Sequence, residues 1–302
     1  MVAQKDLEKV KESVETKLPN EKVVGISYLG RGACNDLYYC RTNSGEYSIK
    51  QERLDKLDEE KNNLELEYKI LKIFNDRGLN FTPEVLYYDS KSKSICYKYI
   101  QGDLLNEAWP NLSEDQRKSV MTELGELHHK IHSSISIKEA QRLGLKVHDV
   151  SIKEELAQYK KIIKEKIVES DRLHELFKKT EEFLSSLSDS EPIQSIIHGD
   201  LHQGNILIKD RRLSGVVDFG DCVVGDIERD FSHYARHYPE YLDDLINSYE
   251  KSSGIKLKKE KILLYGLLTD IEKIVYHVNK YGSGVERLFQ KLDMYSKILK
   301  DS

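Results

Sequence analysis

Long hydrophobic runs, cysteine pairs and a large excess of one charge are all missing from this sequence. No apolar run approaches the roughly 20 residues that span a bilayer. The N-terminal stretch MVAQKDLEKVKESVETKL has no apolar core of the kind a signal peptide needs. We therefore expect a cytoplasmic protein that does not contact a membrane.

The cysteine pattern argues against a disulfide-stabilised or zinc-binding protein. They lie far apart and include no Cys-x-x-Cys pair: Cys34, Cys40, Cys96 and Cys222. This spacing favours reduced, buried thiols over a disulfide framework or a zinc site.

The net charge and the chain length bear on nucleic-acid binding and on domain organisation. The net charge of -5 is mild, and Lys and Arg are scattered among Asp and Glu, so no basic stripe indicates a nucleic-acid partner. With 302 residues, of which 39% are hydrophobic, the chain can bury a real core as one large domain or two lobes.

The first hundred residues predict a small sheet with helices. Leu7, Val10, Val14 and Leu18 have the spacing of an amphipathic helix that ends at Pro19. The segments KVVGISYL, GRGACND, LYYCRT and EYSIKQER then resemble an antiparallel meander with a glycine-containing first turn. A helix over 59–76 and two further strands, PEVLYYD and SICYKYI, follow.

Beyond Gly102 the pattern is mostly helical. Ser113 with Gln116, and Ser151 with Glu154, have capping-box spacing. A helical apolar stripe runs near the end of the chain through Leu264, Leu267, Leu268, Ile271, Val275 and Val278. We predict an α+β fold: a small antiparallel-sheet N-terminal lobe, residues 1–100, a connector near 97–102, and a larger helical lobe, residues 101–302.

One strand-like island, SIIHGDLHQGNILIK, interrupts these helices with polar groups. Asp200 is followed at a fixed spacing by Asn205, and then by Asp218 at the end of GVVDFG. This order and spacing match the catalytic elements of kinases. Phosphoryl transfer needs an aimed hydroxyl and neutralised phosphate charge. Asp200 would accept the hydroxyl proton, and Asn205 and Asp218 offer the hard oxygen ligands that Mg2+ prefers.

Each of these elements has a simpler explanation when taken alone. His-Gly-Asp is able to cap a helix, and a lone Asp-Phe-Gly is common by chance, but their conjunction between apolar runs is specific. His198 and His202, four residues apart, have the spacing of a zinc-protease helix. Gly199 and the strand-like flanks oppose a helix there, so we interpret His198 as a group that braces the loop.

The N-terminal lobe supplies further candidates. Lys50 ends a strand after the turn that contains Gly30 and Gly32, and Glu67 lies on the following helix. A Lys50 to Glu67 ion pair would hold the lysine against nucleotide phosphates. Taken alone, each is an ordinary strand-end or solvated helix residue.

Together these residues resemble the aminoglycoside phosphotransferase and choline kinase family, small-molecule kinases with a protein-kinase-like two-lobe fold. The resemblance covers nearly the whole chain, including the YIQG connector, Leu127-His128, HGDLHQGNILI, GVVDFGD and GDIERDF. It implies that Asp200 is the catalytic carboxylate, that Asn205 and Asp218 hold Mg2+, and that backbone groups near Lys98 and Ile100 meet the base of ATP or GTP. No Ala-Pro-Glu or activation segment follows Asp-Phe-Gly, which favours a small-molecule alcohol over a peptide.

The C-terminal part resembles aminoglycoside 2''-phosphotransferases most, which implies an antibiotic-resistance function. Acidic and aromatic groups there would suit a polycationic sugar: Asp270, Glu272, Tyr276 and Tyr281. The two tyrosines could instead be ordinary core or rim residues. The segment YARHYPEYLDD departs from the pattern, because Arg236 and His237 are expected to repel an aminoglycoside.

Tyr97 falls at the family's gatekeeper position, although the register could place Cys96 there. Bulky aromatic gatekeepers in 2''-phosphotransferases go with a preference for GTP. Two further interpretations stay open: a metabolic kinase that acts on choline, ethanolamine, a sugar or an amino-acid alcohol, and a nucleotide-binding pseudokinase. The sequence does not identify the acceptor or the oligomeric state.

Overall fold

A computed structural model describes residues 4–32, 34–53, 63–166, 171–186 and 192–281. The chain divides into two units. The first unit comprises Met1–Val120, Ser134–Leu145 and His202–Cys222, and the second comprises Met121–Ser133, Lys146–Leu201 and Val223–Ser302. The predicted lobe boundary after residue 100 stays a prediction.

The first unit contains a five-stranded antiparallel sheet. Its strands lie in the order β1-β2-β3-β5-β4: β1 (Val23–Arg31), β2 (Asn35–Thr42), β3 (Glu46–Glu52), β4 (Val85–Asp89) and β5 (Ser94–Lys98). The predicted meander is present, since β1, β2 and β3 pair consecutively. The predicted first turn, residues 30–36, is shorter in the structure. β1 continues to Arg31 and β2 already begins at Asn35.

Two helices accompany this sheet, α1 (Gln4–Lys17) and α2 (Leu64–Asp76). Val10 and Val14 of α1 are buried in a cluster with residues of β2, β3 and β5. The Asn63 side chain caps α2 by accepting a hydrogen bond from the Leu66 N–H, as short polar side chains commonly do. Residues 59–62, the start of the predicted helix, lie outside the described residues.

The rest of the first unit includes a three-stranded sheet and short helices. The sheet has the order β6-β8-β9, with β6 (Asp103–Leu104), β8 (Ile206–Lys209) and β9 (Arg212–Val216). The helices α3 (Leu105–Ala108) and α5 (Ile137–Arg142) also belong here. α4 (Glu114–Ser134) begins at the predicted Ser113 capping box.

The second unit is mainly helical. It contains the part of α4 within Met121–Ser133 and the helices α6 (Ile152–Lys166), α7 (Asp171–Ser186), α8 (Ser232–His237), α9 (Leu242–Ser253) and α10 (Lys259–Tyr281). A two-stranded antiparallel sheet joins β7 (Gln194–Ile197) to β10 (Val223–Asp226). The predicted stripe of α10 forms a core with α6 and α7, including Leu264, Leu268 and Ile271. The side chain of Val278 lies outside the described residues.

The predicted fold class is confirmed. An antiparallel sheet dominates the N-terminal part and helices dominate the later part, so the chain is α+β. Among the described residues, none of the helices is both long and apolar enough to cross a membrane.

Candidate active site

The polar island begins with a sharp turn, His198 to Asp200, directly after β7. Gly199 has a φ of +82°, in the left-handed region that residues other than glycine rarely adopt. The backbone N–H groups of His198 and Gly199 donate to the two carboxylate oxygens of Asp230, over 2.8 and 2.9 Å. These two hydrogen bonds fix the turn that carries Asp200.

Asp230 is in turn held by a histidine of α4. Nε2 of His132 lies 3.1 Å from Oδ2 of Asp230, and its Nδ1 lies 3.1 Å from the hydroxyl of Tyr249. Burial tends to raise the pKa of Asp230. The hydrogen bond with His132 and attraction to the surrounding histidines outweigh it and hold that pKa below its ordinary range. A charged carboxylate therefore anchors the turn.

A second histidine of α4 completes this cluster. Nε2 of His128 lies 3.2 Å from the hydroxyl of Tyr234, and burial lowers the pKa of His128 to about 3. One ligand atom each from His128, His132 and Asp230 lies within 4.8 Å of the others, a set that could hold a metal ion. Both Asp230 oxygens already accept backbone hydrogen bonds, so we assign the cluster a bracing role.

Asp200 presents an accessible carboxylate on this fixed turn. Its side chain is 42% exposed, and its Oδ1 lies 3.5 Å from Nε2 of His233. Its backbone N–H donates to Nδ1 of His198 over 3.3 Å, so the buried His198 ring braces the loop as predicted. A positioned carboxylate of this kind can accept the proton of a bound hydroxyl.

Asn205 and Asp218 lie in the first unit, at one end of the β8–β9 hairpin. The Val217 N–H donates to the Asn205 carbonyl over 3.0 Å, which places the residue before β8 beside the residues after β9. Asp218 has a φ of +70°, which is uncommon outside glycine. The hairpin therefore places the backbones of Asn205 and Asp218 at the same end, and both residue types carry side-chain oxygens of the kind that Mg2+ prefers.

Lys50 of β3 contacts two carboxylates. Its Nζ lies 2.9 Å from Oε2 of Glu67 and 2.5 Å from Oδ1 of Asp218. The lysine and Glu67 are buried, whereas the Asp218 side chain is 44% exposed. Burial disfavours the ammonium, but attraction to Glu67 and Asp218 outweighs it and raises the pKa of Lys50. The structure thus contains the predicted ion pair and joins Asp218 to it.

The strand register distinguishes Tyr97 from Cys96. Tyr97 pairs with Ser48, and Ile95 pairs with Lys50. Because directly opposed residues of an antiparallel pair share a face, Tyr97 lies on the face of the sheet that carries Lys50. Cys96 lies on the opposite face, in the cluster that α1 covers.

The remaining nucleotide candidates are backbone positions. The Lys98 N–H donates to the Glu84 carbonyl over 2.9 Å. No hydrogen-bond partner of the Ile100 N–H is found within the described parts of the chain. Gly30 belongs to β1, and the Gly32 N–H donates to the Asn35 carbonyl over 2.8 Å, which closes the glycine turn.

The predicted acceptor residues whose side chains are described differ in their burial and contacts. Asp270 is 1% exposed and forms a hydrogen-bonded ion pair with Arg236. Glu272 lies two positions further along α10, on a different face of the helix. Tyr276 is 52% exposed. The side chain of Tyr281 lies outside the described residues.

The surroundings of Arg236 differ from those expected from the sequence. It was predicted to repel a polycation, but it is 6% exposed and paired with Asp270. A buried pair is neutral overall. Arg236 therefore adds little repulsion, and Asp270 offers little attraction.

The sequence pattern indicated no role for Asp230 or His233. Asp230 lies in GDIERDF between Arg229 and Phe231, and the available signal was that this segment is part of the family resemblance. His233 and Arg236 are three positions apart on one helix, which allows contact. No local pattern indicates that His233 approaches Asp200, since that contact joins residues 33 positions apart.

Comparison with known proteins identifies the class. The model of a phosphotransferase enzyme family, APH, matches residues 25–259. The chain therefore belongs to this phosphotransferase family. A comparison with curated protein sequences gives no match.

Solved structures with the same fold include several small-molecule kinases. The streptomycin–ATP ternary complex of APH(2'')-IIa has a TM-score of 0.65, with 22% identity over 93% of each chain. The choline kinase LicA from Streptococcus pneumoniae has a TM-score of 0.65, with 18% identity over 98% of this chain and 99% of that one. The GDP complex of aminoglycoside 2'-phosphotransferase-IIIa has a TM-score of 0.69, with 14% identity over 98% of each chain. These similarities confirm the predicted kinase-like fold.

Proposed function

We propose that this protein transfers the γ-phosphoryl group of ATP or GTP to a hydroxyl of a small molecule. The observation that carries the proposal is the position of Lys50 between Glu67 and Asp218. Two carboxylates hold the ammonium charge at a defined place on the sheet, as polyphosphate binding requires. Membership of a phosphotransferase family supports the same conclusion.

Asp200 is the proposed proton acceptor. As the acceptor oxygen bonds to the γ-phosphorus, the bond from that phosphorus to the β–γ bridging oxygen breaks. The nucleoside diphosphate then leaves with the electron pair, and the hydroxyl proton passes to Asp200. The exposure of this carboxylate and the two hydrogen bonds that Asp230 accepts from the turn support the role.

Asn205 and Asp218 are the proposed Mg2+ ligands. Their donor oxygens suit a hard cation, and the hairpin fixes both residues at one end. When bound, Mg2+ would neutralise phosphate charge during transfer.

The base of the nucleotide is proposed to meet the backbone near Lys98 and Ile100. The Ile100 N–H can donate to a ring nitrogen or carbonyl of a purine. Tyr97, on the Lys50 face of the sheet, is the proposed gatekeeper, and its bulk is expected to favour GTP over ATP.

Aminoglycosides are the first acceptor candidates. The similarity to solved aminoglycoside phosphotransferases supports them. A metabolic alcohol such as choline, a sugar or an amino-acid alcohol is the second candidate. The buried Arg236–Asp270 pair favours neither candidate, because it cancels the attraction that Asp270 would offer a polycation as well as the repulsion expected of Arg236.

A coupled assay that follows nucleoside diphosphate release tests these proposals. Each acceptor from a panel of aminoglycosides and metabolic alcohols is offered with ATP and with GTP. Release that depends on an aminoglycoside supports the first candidate, and release that depends on a metabolic alcohol supports the second. Nucleotide binding with neither acceptor-dependent release nor slow hydrolysis that depends on Asp200 would instead indicate a pseudokinase.

A further inference from the structure

His233 links the catalytic carboxylate to a buried ion pair. Its Nε2 lies 3.5 Å from Oδ1 of Asp200. On the other side of the ring, Nδ1 lies 3.3 Å from Nη1 of Arg236. The other terminal nitrogen of Arg236, Nη2, donates to Oδ1 of Asp270. All four residues belong to the second unit.

The contact with Arg236 determines where the imidazole proton lies. A guanidinium group only donates hydrogen bonds, so Nδ1 of His233 must accept and carries no proton. In the neutral ring the proton is then on Nε2, which faces Asp200. The Nε2–H of His233 consequently faces Oδ1 of Asp200 over a nitrogen–oxygen distance of 3.5 Å, which favours orientations of the carboxylate that let Oδ1 accept from it.

Asp270 keeps this arrangement in place. Arg236 and Asp270 are 6% and 1% exposed, and an ion pair at such depth holds its geometry because breaking it leaves a buried charge uncompensated. Arg236 is therefore fixed relative to α8 and α10. The ring of His233 lies between this fixed donor and the catalytic turn.

A histidine that braces the buried part of the fold has different contacts. His128 and His132 are of that kind, since their rings contact the buried groups of Tyr234, Tyr249 and Asp230. The ring of His233 instead reaches an exposed carboxylate. We propose that His233 is a positioning residue, in which the Nε2–H orients Asp200 for the acceptor hydroxyl while Arg236 and Asp270 fix the tautomer. This inference rests on the proposed role of Asp200.

Burial and the neighbouring charges together favour the neutral ring of His233. Burial is the largest influence and lowers the pKa of His233. Asp200 opposes this shift, while the cations Arg236 and Lys273 add to it. Asp200 therefore acts beside a neutral donor, whereas an imidazolium would weaken it as a base.

Three substitutions of His233 separate positioning from packing. His233→Gln keeps a donor near the Nε2 position, His233→Asn keeps an acceptor near Nδ1 only, and His233→Phe keeps the ring without either hydrogen bond. With the best acceptor from the panel, kcat should fall about tenfold to a hundredfold in the Asn and Phe variants. The Gln variant should retain most activity, and the KM for the nucleotide should stay unchanged in all three.

The pH profile gives a second readout. In Arg236→Gln the ring loses a neighbouring cation and takes up a proton more readily, so the acid limb of kcat/KM should move up by about 0.5 pH unit or more. The double variant Arg236→Gln with His233→Gln should lose this shift. Arg236→Lys, which keeps a cationic donor, should show the wild-type profile.

Two results would overturn the inference. One is equal kcat in the Gln, Asn and Phe variants when all three are folded by circular dichroism. The other is an acid limb that does not respond to Arg236→Gln. Failure of the proposed function is recognised separately, because wild-type protein would then show no acceptor-dependent transfer at all.

Discussion

The backbone N–H of His198 donates to Oδ2 of Asp230 over 2.8 Å, although the two residues are 32 positions apart. Oδ1 of the same carboxylate accepts from the neighbouring Gly199 N–H over 2.9 Å. A single buried acid thus satisfies two consecutive amides of this turn. The position of Asp200 depends on this acid, which itself contacts neither nucleotide nor acceptor in the proposed mechanism.

Asp230→Asn tests this dependence. The asparagine side chain has only one acceptor oxygen, so at least one backbone N–H loses its charged acceptor inside the protein. The free energy of unfolding should fall by about 2 to 4 kcal/mol, and kcat should fall because the turn loosens. Urea denaturation and steady-state kinetics measure the two effects.

The matched control is Asp243→Asn. Asp243 is exposed and paired with Lys259 on the surface, so its loss should change stability by less than about 1 kcal/mol. Equal stability losses in the two variants would contradict the anchoring role of Asp230.

Lys50→Met tests the nucleotide site. Removing the ammonium takes away the partner of Glu67 and the proposed phosphate ligand together, so kcat/KM for the nucleotide should fall by about a hundredfold or more. Lys69→Met is the control, because Lys69 forms only an exposed pair with Glu65 on the same helix as Glu67. A Lys50→Met protein with wild-type nucleotide kinetics would exclude the assigned role.

The predictable features were those set by local pattern. Consecutive strand-like segments with a glycine-containing first turn indicated the sheet, and the stripe of α10 and both capping boxes followed from short-range spacing. Lys50 and Glu67 are only 17 residues apart on consecutive elements, so their pairing could be predicted. Known kinase chemistry supplied the reason to expect it.

Contacts set by tertiary packing could not be predicted. Asp218 is 168 positions from Lys50, and the Arg236–Asp270 pair joins two helices whose relative placement no local spacing encodes. The sequence predicted an exposed, repulsive charge at Arg236, whereas the structure shows a buried charge that Asp270 neutralises. The residues of an acceptor site are the hardest to predict from sequence, because their relative positions depend on how the helices pack.

Acid should weaken the protein through His128. Burial lowers the pKa of His128 to about 3 from an ordinary 6.5. The unfolded chain therefore binds a proton at pH values where the folded chain does not. The stability from the neutral ring is complete above the ordinary pKa and is lost as pH falls, by at most about 1.4 kcal/mol per pH unit.

Denaturation at several pH values between about 7 and 5 measures this slope. His128→Gln removes the titrating group, so the slope should become shallower than in the wild type, whatever the variant's stability at neutral pH. His129→Gln, a partly exposed neighbour on α4, should change the slope less. A slope that His128→Gln leaves unaltered would refute the assignment.

Tyr97 should set the choice of nucleotide. If its bulk restricts the base site, Tyr97→Met should raise kcat/KM for ATP relative to GTP. Cys96→Ala is the control, since Cys96 lies on the opposite face of the sheet and its variant should keep the wild-type ratio. Equal ATP and GTP kinetics in the wild type would remove the basis for this role.

Asp200→Asn, compared with the wild type in both acceptor-dependent transfer and nucleotide binding, tests the role of this carboxylate most directly. We expect kcat to fall by about a hundredfold or more, while the nucleotide dissociation constant changes little. Asp115→Asn, an exposed acid in the first turn of α4, should leave both quantities unchanged. Retained turnover in Asp200→Asn would contradict the assignment of this carboxylate as the proton acceptor.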